Sequence, residues 1–298
     1  VYPRRFEALC RANRLEFPRQ VPVEAVDDLE AFLTETEDLV HLQFPFLPAE
    51  RLRGLESVLE IAAPIPRGSL FTVHAGVNVP VVDGLHYIFH TEGLARRLEV
   101  PCWSVVPSLI EPPPSDQPPP PTVGRTVLWV SRNDDAKFSE GVLEVLETML
   151  ARDEEVRFQF VGAPPRFRLP THPRITVEDC PSADLEARWR AATVFWYYPH
   201  ERLEETWCRT VTEAMARGVP SVVAAWGAMG EQLAGEAGGL FEDPRSCVDA
   251  LTRALDDEDL RRRQGLAGRT RAAGYRDDAL RAWRELYAPL AHVSGLTP

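Results

Sequence analysis

The stretch E-T-W-C-R-T-V-T-E-A-M-A-R-G-V-P, Glu205 to Pro220, carries two glutamates, Glu205 and Glu213, with seven residues between them, and runs directly into the apolar segment S-V-V-A-A at 221–225. The spacing predicts a helix that begins near Thr206 and continues through Glu213 to Arg217, with Glu205 at its start and Glu213 about two turns further along one face. One carboxylate then meets each end of an elongated ligand. The backbone N–H groups of Trp207, Cys208 and Arg209 are the first-turn donors of such a helix, and a helix start presents them, with its positive dipole end, to a phosphate. On these residues alone, an amphipathic helix with two solvated acids reads the same way.

Outward from this stretch, short apolar runs alternate with helical patterns. In the second half, strands are expected at T-V-L-W-V (126–130), V-R-F-Q-F-V (156–161), R-I-T-V-E-D (174–179), T-V-F-W-Y-Y-P (193–199), S-V-V-A-A and G-G-L-F. Between them lie helical segments, one marked by Val142, Leu143, Leu146, Met149 and Leu150 on one face and another at A-D-L-E-A-R-W-R-A-A. The first half repeats the pattern. Helices are expected over Val1 to about Leu15 and over 50–61, with strands at 38–44, 69–73, 86–90 and P-C-W-S-V-V-P, and a helix at T-E-G-L-A-R-R-L. Strands alternating with helices imply mostly parallel sheets covered on both faces, whose ligands bind beyond the carboxyl ends of the strands. Residues 111–121, E-P-P-P-S-D-Q-P-P-P-P, hold neither helix nor sheet and form an interdomain linker. The expected organisation is therefore a first domain over 1–110, the linker, a second domain over 122–276, and a terminal helix over 277–298 carrying Leu280, Trp283 and Leu286 or Tyr287 on one side.

The two glutamates followed by A-M-A-R-G-V-P and the apolar run resemble the signature of retaining, nucleotide-sugar-dependent glycosyltransferases of family four, which have the GT-B fold. The resemblance implies two Rossmann-like domains facing a cleft, with the first on the acceptor side and the second binding the donor. It implies that Glu205 contacts the donor sugar and Glu213 the nucleotide ribose. D-L-V-H-L-Q-F and L-F-T-V-H look like the middle strands of the acceptor-side domain, although the family's initial strand and glycine-rich turn have no counterpart, so either this domain is reduced or the chain begins downstream of the family's usual start. The family's terminal helix crosses back to the first domain, which is the path expected for 277–298. Where the family often has G-F-G after the first glutamate, this chain has Thr206, Trp207 and Cys208, and the side chains of Thr206 and Cys208 are expected to narrow the sugar pocket.

Breaking a sugar–phosphate bond loads negative charge on the departing diphosphate, so fixed cations must be aimed at it. Arg132 and Lys137, in V-S-R-N-D-D-A-K-F after strand 126–130, resemble the family's strand-end arginine and lysine. His74, at the end of strand 69–73, resembles the histidine that lines the family's cleft at the reacting centre; His41 and His90 are weaker candidates, and His200, after strand 193–199, is the one that could instead face the donor. Gly227, Gly230 and Glu231 resemble the loop whose backbone approaches the sugar and phosphates, glycine permitting close approach. With two cations and a helix start to offset the diphosphate, no metal and no further cofactor is expected, the nucleotide sugar being a co-substrate with UDP or GDP favoured. The D-x-D at Asp257 and Asp259 reads as the acidic first turn of a helix.

Composition narrows the partners. A net charge of −12 and a pI near 5.2 argue against nucleic acid, which is bound by clustered Lys and Arg. No apolar run approaches the ~20 residues that span a bilayer, and the start V-Y-P-R-R-F-E lacks a signal peptide's apolar core, so a cytoplasmic location is expected. Five scattered cysteines without C-x-x-C pairs suggest neither a disulfide framework nor a zinc knuckle. The reading is a retaining glycosyltransferase acting on an acceptor hydroxyl or amine. The alternatives are a nucleotide-sugar epimerase or phosphorylase on the same fold, or a non-catalytic protein that binds a nucleotide sugar or a partner.

Overall fold

The structure is a computed structural model, and it describes residues 41–43, 70–72, 85–98, 100–110, 113, 124–162, 169–179, 184–203 and 205–293. The chain divides into two compact units, one of residues 1–109 with 275–298 and the other of residues 110–274. The helices expected over 1–15 and 50–61, and the linker apart from Pro113, lie outside the described residues.

In the first unit, β1 (His41–Gln43), β2 (Leu70–Thr72), β3 (His86–Phe89) and β4 (Trp103–Val105) form a parallel sheet in that order, and the short helix α1 (Glu92–Arg97) follows β3. Side chains alternate across β2 and β3, so their residues fall into two sets. Leu70 and Ile88 join Val106 and Leu109 in one buried cluster, completed by Ala279, Leu280, Trp283 and Tyr287 from the chain's last helix. Phe71, Tyr87 and Phe89 form a separate ring series, with centroids 5.6 and 6.4 Å apart.

The second unit holds β5 (Thr126–Val130), α2 (Gly141–Arg152), β6 (Arg157–Val161), β7 (Ile175–Glu178), α3 (Leu185–Ala191), β8 (Val194–Tyr197), α4 (Arg209–Arg217), β9 (Ser221–Ala224), α5 (Met229–Leu233), β10 (Gly238–Phe241) and α6 (Pro244–Asp256). Its six strands are all parallel, in the order β10-β9-β8-β5-β6-β7. The chain thus winds outward from β5 to β7, returns to the centre, and winds the other way from β8 to β10. That reversal makes the boundary between β5 and β8 the topological switch point, where ligands of doubly wound sheets bind beyond the strands' carboxyl ends. The continuous apolar runs V-F-W-Y of β8 and S-V-V-A of β9 are buried throughout, as central parallel strands must be. Under the switch point, Trp129 stacks on Phe138 at 4.5 Å and meets Trp196 edge-on at 5.3 Å. The expected α/β class with parallel Rossmann-like sheets is what the chain adopts.

Two expectations about helices are corrected. The helix predicted to begin near Thr206 begins at Arg209, because Thr206, Trp207 and Cys208 are drawn into the buried interior in non-helical backbone first. The terminal helix expected from 277 is one 36-residue helix, α7 (Glu258–Val293). Asp257 caps it by accepting the Leu260 N–H at 2.8 Å, and Arg262 pairs with both Glu258 and Asp259. The acidic D-x-D therefore serves a helix start. No helix among the described residues is long and apolar enough to cross a membrane.

Candidate active site

The loop after β5 leaves the sheet under tight control. Ser131 is buried, its N–H bonds to Val161 O at 3.0 Å, and its hydroxyl accepts from Trp129 Nε1 and donates to Arg132 O. A 3-10 turn over Asp135–Lys137 follows, and the next residue, Phe138, is locked against Trp129 while Ser139 N–H donates to Tyr198 O at 3.0 Å. Lys137 is thereby held between two fixed points, and its side chain lies along the end of β8 rather than in solvent.

Beyond β8 the chain makes a turn at 200–202, in which the Arg202 N–H donates to His200 Nδ1 and Leu203 N–H to His200 O. Glu205 follows, with its main chain fixed on both sides: its N–H donates to Leu203 O, and its O accepts the Ala228 N–H at 2.8 Å. Gly227 lies directly against that backbone. Its φ of +66° is in the left-handed region, and a Cβ there would stand 3.1 Å from both Glu205 N and Glu205 O. This close approach is the physical reason for glycine at 227.

The two central candidates meet. The Lys137 ammonium donates to Glu205 Oε1, and Tyr197 OH donates to the same oxygen at 2.6 Å. Both members of the ion pair are buried, with side-chain exposures of 10% and 6%, so their attraction acts with little solvent screening. Lys137 Nζ also lies 5.9 Å from the centroid of the Tyr197 ring. Burial, reinforced by the negative Glu205, pushes the Tyr197 phenol well above its ordinary range, so it remains a donor. Arg132 acts on the same phenol in the opposite direction, which ties it electrostatically to the cluster. Its guanidinium is largely exposed, 3.4 Å from Asp134, and with Asn133, Asp134 and Asp135 lines an open cavity of about 400 Å³.

The other predicted residues fall into distinct places. Trp207 and Cys208 are buried and Arg209, the first residue of α4, is half-buried. The expectation that the Cys208 N–H is an open helix-start donor is corrected: it donates to Gln232 Oε1 at 2.8 Å. The Cys208 thiol is pushed up to about 12 by burial and by Glu205, which keeps it protonated and inert. Glu213 is half-buried in the middle of α4, and its backbone O accepts from Arg217, whose guanidinium also pairs with Glu186. Gly230 and the exposed Glu231 lie on α5. His90 is a core histidine, its Nδ1 bonded to Val106 O at 2.8 Å. His74 lies outside the described residues, and His41 is on β1.

Two contributors escaped the sequence reading. Tyr197 looks like one more apolar residue of a buried strand, and its hydroxyl's target is visible only once β8 and Glu205 are folded together. Gln232 looks like a polar residue on a short helix. Its signal was slight: a glutamine between Met229 and Leu233 sits among residues that face a core.

Residues 124–257 match the family model of glycosyl transferases group 1. No curated protein matches the chain by sequence. Solved structures similar to it include S. aureus TarM, with UDP among its ligands, at 13% identity over 76% of this chain and 51% of that one, TM-score 0.61. The pneumococcal O-GlcNAc transferase GtfA in complex with UDP and GlcNAc is 16% identical over 89% of this chain and 60% of its own, TM-score 0.68. Anabaena HepE in complex with UDP-glucose is 15% identical over 97% and 89%, TM-score 0.68. The chain thus spans about half the length of TarM and three fifths of GtfA. At these identities the likeness establishes a fold, and that fold is the GT-B type, with parallel Rossmann-like sheets.

Proposed function

We propose that this protein is a glycosyltransferase that moves a sugar from a nucleoside-diphosphate sugar to an acceptor hydroxyl or amine, with retention of configuration and without a resident metal. The observation that carries the reading is the convergence of Lys137, Glu205 and Tyr197 at the switch point between β5 and β8. Arg132 and Lys137 bind the diphosphate and stabilise the charge that develops as it leaves. Glu205 holds the donor sugar, and Glu213 the ribose. Gly227 lets the backbone of its loop approach the sugar and phosphates. His74 serves the reacting centre. The acceptor approaches the face from which the diphosphate departs, a leaving phosphate oxygen takes its proton, and no carboxylate nucleophile is needed. UDP and GDP are the favoured donor nucleotides. The family-model match over 124–257 and the UDP complexes of similar structures support this reading.

The test is a thermal-shift panel of nucleoside diphosphates and nucleotide sugars on wild type, Arg132→Ala and Glu213→Ala. A ligand at ~100 times its Kd stabilises the native state by about 2.7 kcal/mol. One nucleotide is expected to raise the wild-type Tm and to lose that effect in both variants. A panel in which no nucleotide shifts the wild type refutes the donor site. With an acceptor in hand, the anomeric proton coupling of the product decides between retention and inversion.

A further inference from the structure

We propose that Gln232 is a positioning residue of the donor site, clamping the chain between Glu205 and Glu213, and that its amide rather than a phosphate is the partner of the Cys208 N–H. The inference rests on the donor-site reading above.

Gln232 is fully buried on α5, yet its side chain is polar, and a buried amide must find partners. Its Oε1 accepts the Cys208 N–H at 2.8 Å, while Nε2 donates to Cys208 O at 3.0 Å and to Thr212 Oγ1 at 3.1 Å. The orientation of the amide is dictated by its neighbours, since a backbone N–H can only donate and a backbone carbonyl can only accept. The side chain thus grips both polar groups of one residue, as a neighbouring strand would. Cys208 lies three residues after Glu205 and five before Glu213, so the grip falls between the two carboxylates.

The clamp has its own anchor. Arg271 of α7 donates Nε to Gln232 O at 2.7 Å and Nη2 to Glu231 O at 2.9 Å, fixing α5 from behind. At the front, Ala228 N–H bonds to Glu205 O and Gly227 lies against the Glu205 backbone. Residues 227–232 therefore hold the glutamate segment at two points, Glu205 and Cys208. α4 has no side-chain cap hydrogen bond at its N-cap, Cys208, and Gln232 instead holds that residue from outside through the Cys208 N–H and C=O. Two consequences follow for the site. The separation of the two carboxylates is set by Gln232, and phosphate recognition must come from other donors than the Cys208 amide.

The experiment compares wild type, Gln232→Leu and Gln232→Glu in two measurements made well below each variant's Tm: hydrogen exchange of the amides from Thr206 to Glu213, and calorimetric titration with UDP and with GDP. Leucine removes all three bonds at similar volume, whereas glutamate keeps the acceptor for the Cys208 N–H and loses both donations. Exchange in this segment is expected to accelerate at least about tenfold in Gln232→Leu, with strands β8 and β9 unchanged, and nucleotide Kd to rise about tenfold. Gln232→Glu is expected between the two. Unchanged exchange overturns the clamp, and accelerated exchange with unaltered Kd overturns the positioning role. A wild type that binds neither nucleotide sinks the donor-site reading and the positioning role with it, while the exchange result still decides the clamp.

Discussion

Lys137 and Glu205 are charged side chains taken out of water, and such a pair is held only if each compensates the other. Replacing one partner strands the other's charge in a poorly solvated site. Lys137→Met is therefore expected to lower stability by about 3 kcal/mol, read as a shift of the urea midpoint with unchanged slope. A midpoint within experimental error of wild type would show that the pair is solvated in the native state. The same pairing explains what could be read of this site in advance. That Lys137 follows β5 and Glu205 follows β8 was legible, because each comes shortly after a continuous apolar run. Their meeting on one oxygen with Tyr197 was not, because β5 and β8 become neighbours only through the crossover, and 68 residues separate the lysine from the glutamate.

At the scale of elements, among the described residues, α4 and α7 begin well away from where they were expected, for different reasons. Periodicity places Glu213 on α4 correctly but cannot register that Gln232, 24 residues away, takes the Cys208 amide. In α7 the glycines 265, 268 and 274 interrupt a helical pattern. Two of them serve packing: a Cβ at Gly265 would stand 2.4 Å from Gly218 O, and one at Gly268 would stand 3.3 Å from Met215 Cα. Gly218 is the left-handed residue that ends α4, at φ +71°, so the long helix rests on the end of the glutamate-bearing one. A Cβ at Gly274 would meet no other group within 4 Å. Alanine at these positions should act with opposite signs. Gly265→Ala is expected to destabilise by about 2 kcal/mol through overpacking against backbone, and Gly274→Ala to stabilise by up to about 1 kcal/mol through helix propensity. Chemical denaturation of both variants measures this, and equal effects of one sign would refute the packing account.

At the scale of the whole molecule, the alternation of apolar runs and helical patterns made the parallel α/β architecture legible, because central parallel strands are buried on both faces and read as continuous V, F, W and Y. The cover of the first sheet was expected only through the resemblance, since it comes from the far end of the chain. Ala279, Leu280, Trp283 and Tyr287 share one buried cluster with Leu70, Ile88, Val106 and Leu109, and Trp283 stacks on Tyr287 at 5.2 Å. Nothing local to β2 or β3 predicts that closure. Among the described residues, the core of the first unit thus joins β2 and β3 to residues from the far end of the chain, whereas the unit of 110–274 contains its own aromatic centre at Trp129, Phe138 and Trp196. Trp283→Ala should then act on one unit: a buried tryptophan removed to alanine costs about 3 to 5 kcal/mol. Amides of β3, β4 and the segment 106–110 are expected to lose exchange protection, while those of β5 and β8 keep theirs, because local stability follows the contacts a unit makes for itself. Equal loss of protection across both sheets would instead mean that the chain opens as a single cooperative unit.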